Sequence, residues 1–306
     1  MISQTRSGFV NIIGPPNSGK STLINQLMGM KISIVSPKAQ TTRFSVRGII
    51  NVDFDNKSKN KSQIIFVDTP GIFEPKRKLD KFILNDTLTN IKDADHTICI
   101  YDSNNKKGLG DFLKTLKIVN SGNKNFSLVL NKIDKVEKNK LLLITEKILK
   151  NYHFNNVFMI SALTGDGCCE LKNFLAKKMP IGNFLYDTKQ KTNLSDKILA
   201  SEITREKLFK NLNFELPYNL FVETIEWKEK EKEIKIYQNI YVSKSSHKII
   251  IIGKNGENIK KIGKLSRQEL IEIFGKQIHL FLYIKVKKNW TNNDENFKFF
   301  GMNFDA

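Results

Sequence analysis

The segment Gly14-Pro15-Pro16-Asn17-Ser18-Gly19-Lys20-Ser21 lies between an apolar run at 9–13 and a helical stretch at 20–28, and it constrains the fold more than any other feature. Glycine is required where the backbone must turn its N–H groups inward, so that amides and the helix N-terminus can cradle phosphate oxygens. In the pattern G-x-x-x-x-G-K-[ST], Lys20 neutralises β- and γ-phosphate charge and the Ser21 hydroxyl ligates Mg²⁺, with Thr22 completing the binding loop. A strand feeding such a loop and helix commits the chain to an α/β sheet. Further strands are predicted at 63–68, 96–101, 127–131 and 157–161, with helical stretches such as 141–149 between them. Short apolar strands separated by helices imply right-handed crossovers and a mostly parallel sheet with helices on both faces. Ligands of such sheets sit at the carboxyl ends of the strands.

The other motifs fall at those ends. Asp68-Thr69-Pro70-Gly71 closes the strand at 63–68, which places a carboxylate beside the phosphate loop to hold Mg²⁺ and lets the Gly71 backbone N–H approach a γ-phosphate. Asn131-Lys132-Ile133-Asp134 names the base. The Asp134 carboxylate accepts two parallel hydrogen bonds, which suits the N1–H and N2–H₂ donors of guanine and disfavours adenine, whose N1 is an acceptor. Asn131 braces that loop, the Lys132 stem covers the ring, and Ser161-Ala162-Leu163 supplies a backbone N–H for guanine O6. In the polar loop Gln40-Thr41-Thr42-Arg43, two threonines compete to supply a second Mg²⁺-binding hydroxyl, and Thr42 is favoured. Position 72 is Ile, where a Gln would orient an attacking water in Ras-like enzymes, so intrinsic hydrolysis is expected to be slow.

The run 179–183 closes this first unit and 181–193 reads as a linker. A helix is predicted from the N-cap Ser195, then strands at 220–227 and 234–242 joined by a charged turn at 228–233. Gly253-Lys254-Asn255-Gly256 follows four isoleucines and precedes a helix at 257–274 and a last strand at 279–286. A G-x-x-G loop lets a nucleic-acid backbone come close while Lys254 and helix amides meet phosphates. The order α-β-β-α-α-β requires a short helix over 246–252, although its β-branched residues favour a strand.

Composition excludes several classes. The chain has 306 residues, 40% of them hydrophobic, with 50 Lys plus Arg against 31 Asp plus Glu and a formal charge of +19. That is enough for two folded domains and too apolar for disorder. The run Ile249-Ile250-Ile251-Ile252 falls far short of the ~18 residues of a membrane span. The polar start after Met1 argues against a secretory signal, and three cysteines, two adjacent, against a disulfide framework or zinc site, so a reduced, cytoplasmic protein is expected. Lys and Asn also crowd plain loops such as 56–61, so total charge says little about partners. Its placement says more: residues 241–290 hold 11 basic and 3 acidic side chains, around the G-x-x-G.

The chain resembles the Era family, bacterial GTPases with a C-terminal KH domain, over nearly its whole length. The residues carrying the resemblance are Gly14 to Ser21, Ser36-Pro37-Lys38-Ala39-Gln40-Thr41-Thr42-Arg43, Asp68 to Gly71, Asn131 to Asp134, Ser161-Ala162, Ser201 to Leu208, Glu215-Leu216-Pro217-Tyr218, Ile252 to Gly256 and Lys285 to Trp290. It implies a P-loop GTPase domain at 1–180, a linker at 181–193, a type II KH domain at 194–290 and a tail at 291–306. It also implies GTP/GDP and Mg²⁺ as ligands, catalysis resting on Lys20, Thr42, Asp68 and Gly71, and a potassium ion held with the help of Asn17. The implied partners are the 3′ end of small-subunit ribosomal RNA, gripped by Ile252, Gly253, Lys254, Asn255, Gly256, Lys260 and Lys261, and the 30S subunit during its assembly. A monomer is expected, without DNA binding or a lipid surface. The alternative is an RNA-binding assembly factor that holds GTP only as a structural ligand. Pro15 and Ser18 depart from an Arg and a Val common in the family, and 55–62, between two strands, is unusually polar.

Overall fold

The computed structural model describes residues 4–35, 46–55, 60–69, 87–105, 108–119, 125–212, 216 and 220–287. The chain divides into two compact units, with the break between Asn193 and Leu194.

The first unit is built on a six-stranded sheet in the order β2-β3-β1-β4-β5-β6. Its strands are β1 (Thr5–Ile13), β2 (Val46–Asp55), β3 (Asn60–Asp68), β4 (His96–Asp102), β5 (Phe126–Asn131) and β6 (Asn156–Met159). All neighbours are parallel except β2, which runs antiparallel to β3. The central strands read as unbroken apolar runs because both faces are covered: Ile12, Ile64, Ile98, Ile100, Leu128 and Val129 are fully buried. On one face, Phe112 and Leu116 of α2 (Leu109–Val119) and Ile148 of α3 (Lys138–Leu149) pack on Cys99, Tyr101, Leu128 and Leu130. Helices α1 (Lys20–Met28) and α4 (Cys168–Lys178) lie against β2 and β3.

The segment 181–193, expected to be a linker, is hydrogen-bonded into the first unit. The buried Gln63 side chain on β3 accepts from the Leu185 and Tyr186 amides at 2.8 and 2.9 Å and donates to Tyr186 O at 2.9 Å. Along β2, Ile49 N donates to Lys191 O at 2.8 Å, Asn193 N to Arg47 O at 3.4 Å, and Arg47 N to Asn193 Oδ1 at 2.8 Å. A composition reading sees only the polarity of this stretch, because its partners are backbone groups and the side chains of Arg47, Asn51 and Gln63, all remote in sequence.

The second unit follows the predicted order: α5 (Asp196–Asn211), β7 (Leu220–Glu229), β8 (Glu233–Val242), α6 (Ser245–Ile252), α7 (Glu257–Phe274) and β9 (Gln277–Val286). Ser195 caps α5 by accepting from Ile198 N at 3.4 Å. Strand β8 pairs antiparallel with β7 and parallel with β9. The strand before the isoleucine run, β8, already has a partner on each side, and the run forms a helix against its β-branched preference. Ile251 anchors that helix in a core with Val222, Ile240, Val242 and Ile262. Inside α5, Arg205 is buried and ion-paired with Glu202, while Lys207 reaches Glu269 of α7. The first pair lies within α5 and the second joins α5 to α7.

Candidate nucleotide and RNA sites

The phosphate loop is shaped by close backbone approach. A Cβ on Gly19 (φ 100°) would stand 2.2 Å from Asn131 Nδ2, and one on Gly14 would stand 2.4 Å from Ile100 O. Asn17 also takes a left-handed conformation (φ 64°) with its side chain exposed, and Ser18 N bonds back to Pro15 O at 3.3 Å beside Pro16. The Lys20 ammonium donates to Gly14 O at 3.0 Å and Pro15 O at 2.9 Å, so the loop's own carbonyls hold it over the cradle. Burial lowers its pKa from 10.5 to about 8, with the nearby Asp68 carboxylate opposing the shift.

Ser21, at the start of α1, donates its hydroxyl to Asp68 Oδ2 at 2.7 Å. The bond brings the first helix and the end of β3 together, and it places one hydroxyl and one carboxylate, both hard oxygen donors, side by side. That donor set fits Mg²⁺, which accepts one or two protein oxygens and keeps the rest of its shell for water and phosphate. Thr22 is half-buried in the first turn of α1, and Thr69 Oγ1 donates to Ile12 O at 2.9 Å, pinning the strand end that carries Asp68. Thr41, Thr42, Pro70, Gly71 and Ile72 lie outside the described residues.

The base loop is assembled by one side chain. Asn131, buried at the end of β5, donates to Ser18 O at 2.9 Å, and its Oδ1 accepts from Ala162 N at 2.9 Å. Lys132 (φ 65°) donates to Asn17 O at 3.0 Å and ion-pairs with Asp102 at 2.6 Å, so its stem lies across the cleft. Asp134 sits in the 3₁₀ turn Ile133–Lys135 with its carboxylate exposed. Ser161 and Ala162 are buried just beyond β6, the Ser161 hydroxyl accepts from Thr164 N at 3.2 Å, and Leu163 is exposed. Together these groups bring Asn131, Lys132, Asp134 and the Ala162 amide to the carboxyl ends of β5 and β6. Asp102 is the residue that sequence reasoning missed. It ends β4 in register with Asn131, and an acidic residue terminating an apolar strand was the available signal.

In the second unit, Gly253 (φ 72°) and Gly256 (φ 77°) both need the left-handed side of backbone space, as does Asn255 (φ 51°). Gly253 N closes α6 on Ile249 O at 2.9 Å, and Gly256 is the N-cap of α7. Asn258 Nδ2 donates to Ile250 O at 3.0 Å, which ties the start of α7 to the end of α6 around the loop. A Cβ on Gly253 would fall 2.7 Å from Asn258 Cγ. Lys254, Asn255, Lys260 and Lys261 are exposed along one side of this turn, with Ile252 half-buried beneath it.

Comparison with known proteins finds a relative family for each unit. The family described as 50S ribosome-binding GTPase matches residues 9–132, and the KH domain family matches 215–291. The chain is 43% identical over 302 residues to the GTPase Era of Mesorhizobium japonicum, covering 98% of this chain and 94% of the relative. It is 44% identical over 305 residues to that of Brucella suis, covering 99% and 95%. Among solved structures, a variant of Aquifex aeolicus Era bound to GDP and AlF₄⁻ superposes with a TM-score of 0.86 at 36% identity, covering 97% of this chain and 99% of the other. Era in complex with MgGDPNP and nucleotides 1506–1542 of 16S ribosomal RNA superposes with a TM-score of 0.87 at 36% identity and the same coverage.

Proposed function

The chain belongs to the Era family of GTPases, and we propose that its two units act as one switch, a GTP-hydrolysing unit that governs a clamp for the 3′ region of small-subunit ribosomal RNA. The protein hydrolyses GTP with Mg²⁺, binds that RNA through its KH domain and assists assembly of the 30S subunit. In the proposed site, the Ser21 hydroxyl and the Asp68 carboxylate hold the metal, Lys20 meets the β- and γ-phosphates, and Asp134 reads the guanine edge. The metal supplies charge neutralisation where negative charge gathers on the transferred phosphoryl group. No side chain of the described loop acts as a base, so positioning and preorganised charge carry the rate.

The carrying observation is the Ser21–Asp68 hydrogen bond beside a base loop braced by Asn131, in a chain that also holds an ordered G-x-x-G turn. The alternative, GTP as a structural ligand only, is disfavoured by the relative that binds GDP with AlF₄⁻, a mimic of the phosphoryl group in transit. Single-turnover hydrolysis of GTP with and without small-subunit RNA tests the choice, since GTP that survives both conditions would overturn the enzymatic reading. Gly253→Asp tests the clamp, because it puts a negative charge and a Cβ where the RNA backbone must approach, and undiminished RNA affinity would remove it.

The proposed domain limits are 1–193 for the GTPase unit and 194–290 for the KH unit, with the tail at 291–306 beyond. Thr42 and Gly71 are proposed as the metal-binding and γ-phosphate-sensing groups of the switch segments. The exposed Asn17 amide is proposed as a ligand of a potassium ion at the phosphates; equal hydrolysis rates in potassium and sodium buffers would remove that assignment. Among the described residues no helix is long and apolar enough to cross a membrane, and the proposed place of action is the cytoplasm.

A further inference from the structure

The sheet of the second unit buries one face against its helices. Val222, Ile236, Ile240, Val242 and Ile278 point into the two cores that also hold Ile251 of α6 and Ile262 and Leu270 of α7, so the G-x-x-G turn belongs to the helix side. The intervening residues of β7, β8 and β9 point the other way. Their register puts Phe221 beside Tyr241 and Tyr241 beside Lys285, Asn239 beside Tyr283, Tyr237 beside Phe281, and Lys235 beside His279.

This face is aromatic and basic; it is open along Phe281, Tyr283 and Lys285, while Phe221 and Asn239 are buried. Tyr237 and Phe281 stack with ring centroids 4.6 Å apart and planes within 14°, and Phe221 and Tyr241 stack at 6.0 Å. Phe281 is 40% exposed and Tyr283 47%. Lys228 lies 5.7 Å over the Tyr237 ring and Lys287 5.9 Å over the Tyr241 ring. The acids nearby are engaged: Glu223 accepts from Tyr241 Oη at 2.8 Å, Glu226 pairs with Lys228 at 2.8 Å, and Glu233 sits 4.0 Å from Lys235 and 3.3 Å from His279. Lys285 has no acidic partner among the described residues. From Lys235 to Tyr241 the strand runs about 20 Å at ~3.3 Å per residue, long enough for several nucleotides.

We propose that this sheet face is a second platform for single-stranded RNA, separate from the G-x-x-G clamp, on which bases stack against Tyr237, Phe281 and Tyr283 while Lys235, Lys285 and Lys287 meet phosphates. Exposed rings set among lysines on a sheet are what sequence-tolerant stacking requires, since every base presents a π-face. A lipid surface would call for exposed aliphatic area, and the groups exposed across β9 are the rings of Phe281 and Tyr283; rings also suit a protein partner, which the test below separates by its own outcome. The inference rests on the RNA-binding reading of the chain and extends the footprint beyond the roughly four nucleotides that a KH loop grips.

The test uses the full-length protein bound to MgGDPNP, the state of the RNA-bound relative, and a fluorescein-labelled 20-nucleotide oligouridylate, with affinity read by anisotropy at fixed salt. Phe281→Ser with Tyr283→Ser is expected to weaken binding about tenfold, both in the native background and in Gly253→Asp. The conservative pair Phe281→Tyr with Tyr283→Phe is expected to retain it. Lys285→Gln is expected to lower the salt slope, and ultraviolet crosslinks are expected in the β8 and β9 peptides. Unchanged affinity and salt slope in variants that melt as the native protein does would overturn the platform and leave the clamp intact. If Gly253→Asp has no effect while the ring variant does, the clamp falls and the platform stands. Loss of 30S-subunit capture by the ring variant with unaltered oligouridylate affinity would assign the face to a protein partner and overturn the inference.

Discussion

The Asn131 amide donates to the Ser18 carbonyl at 2.9 Å and so ties the base-reading loop to the phosphate loop across 113 residues of sequence. The same side chain accepts from Ala162 N, so one residue sets the distance between the two loops proposed to hold the ends of a nucleotide. Asn131→Ala removes both bonds and leaves a buried carbonyl and a buried amide without partners, at ~1 to 3 kcal/mol each. GDP affinity is expected to fall by one to two orders of magnitude, read by titration with a fluorescent GDP analogue, while RNA binding by the nucleotide-free protein stays unchanged.

Lys20 predicts a proton linked to nucleotide binding. Its pKa of about 8 in the nucleotide-free fold lies below the ordinary 10.5, so between those values the unfolded chain binds more proton and the stability of the first unit rises with pH. Bound phosphates favour the charged amine and reverse the shift. GDP affinity should therefore fall as pH climbs above about 8. Calorimetry at pH 9 in buffers of different ionisation enthalpy should report uptake approaching one proton, and Lys20→Met should abolish it.

His96 predicts an acid-side weakness far from the nucleotide. It is buried against the edge of Phe174 and within 2.9 Å of Ser127 Oγ, and burial, with the Lys178 charge adding to it, lowers its pKa from 6.5 to about 4. The folded state holds it neutral while the unfolded chain takes up a proton below pH 6.5, so stability is lost as pH falls from 6.5 to about 4. Protonation of the buried ring in this way can remove on the order of 3 kcal/mol of stability. Urea unfolding of His96→Gln should show a flatter dependence over that window than the native chain, and identical slopes would exclude His96 as the cause.

Lys260 and Lys261 predict a salt effect. Both are exposed in the first turns of α7, beside the G-x-x-G. Replacing them by Ala should lower the slope of log affinity against log salt by one to two for single-stranded RNA, at about 0.7 per phosphate contact. GTP binding should not change, and an unaltered slope would place the phosphate contacts elsewhere.

The nucleotide loop was legible because its chemistry leaves little freedom: Gly14 and Gly19 stand where a Cβ meets a neighbour, and Lys20, Ser21 and Asp68 are the residue types that phosphate and metal demand. The helix at the isoleucine run was legible through element order, against local propensity. Two features depended on partners remote in sequence. Asp102 reads as an ordinary strand end until β4 and β5 bring it to Lys132. Gln63 reads as a polar interruption of an apolar strand, and its role appears only when residues 185 and 186 reach it. The switch segments at Thr42 and Gly71 lie outside the described residues.

The backbone bonds from Arg47 and Ile49 to residues 191 and 193 also settle what lies at the border of the large sheet. Strand β2 has β3 on one side, and the alternate N–H and C=O groups of its other side would, left without partners, template pairing with another copy. Residues 185–193 cover that border in the manner of a guard strand, bridging at Gly48 and Thr192. A GTPase unit cut at the end of α4 would keep every residue of its nucleotide cleft and yet bare a sticky seam. The stretch that joins the two units is therefore also the cover of the first unit's exposed sheet edge.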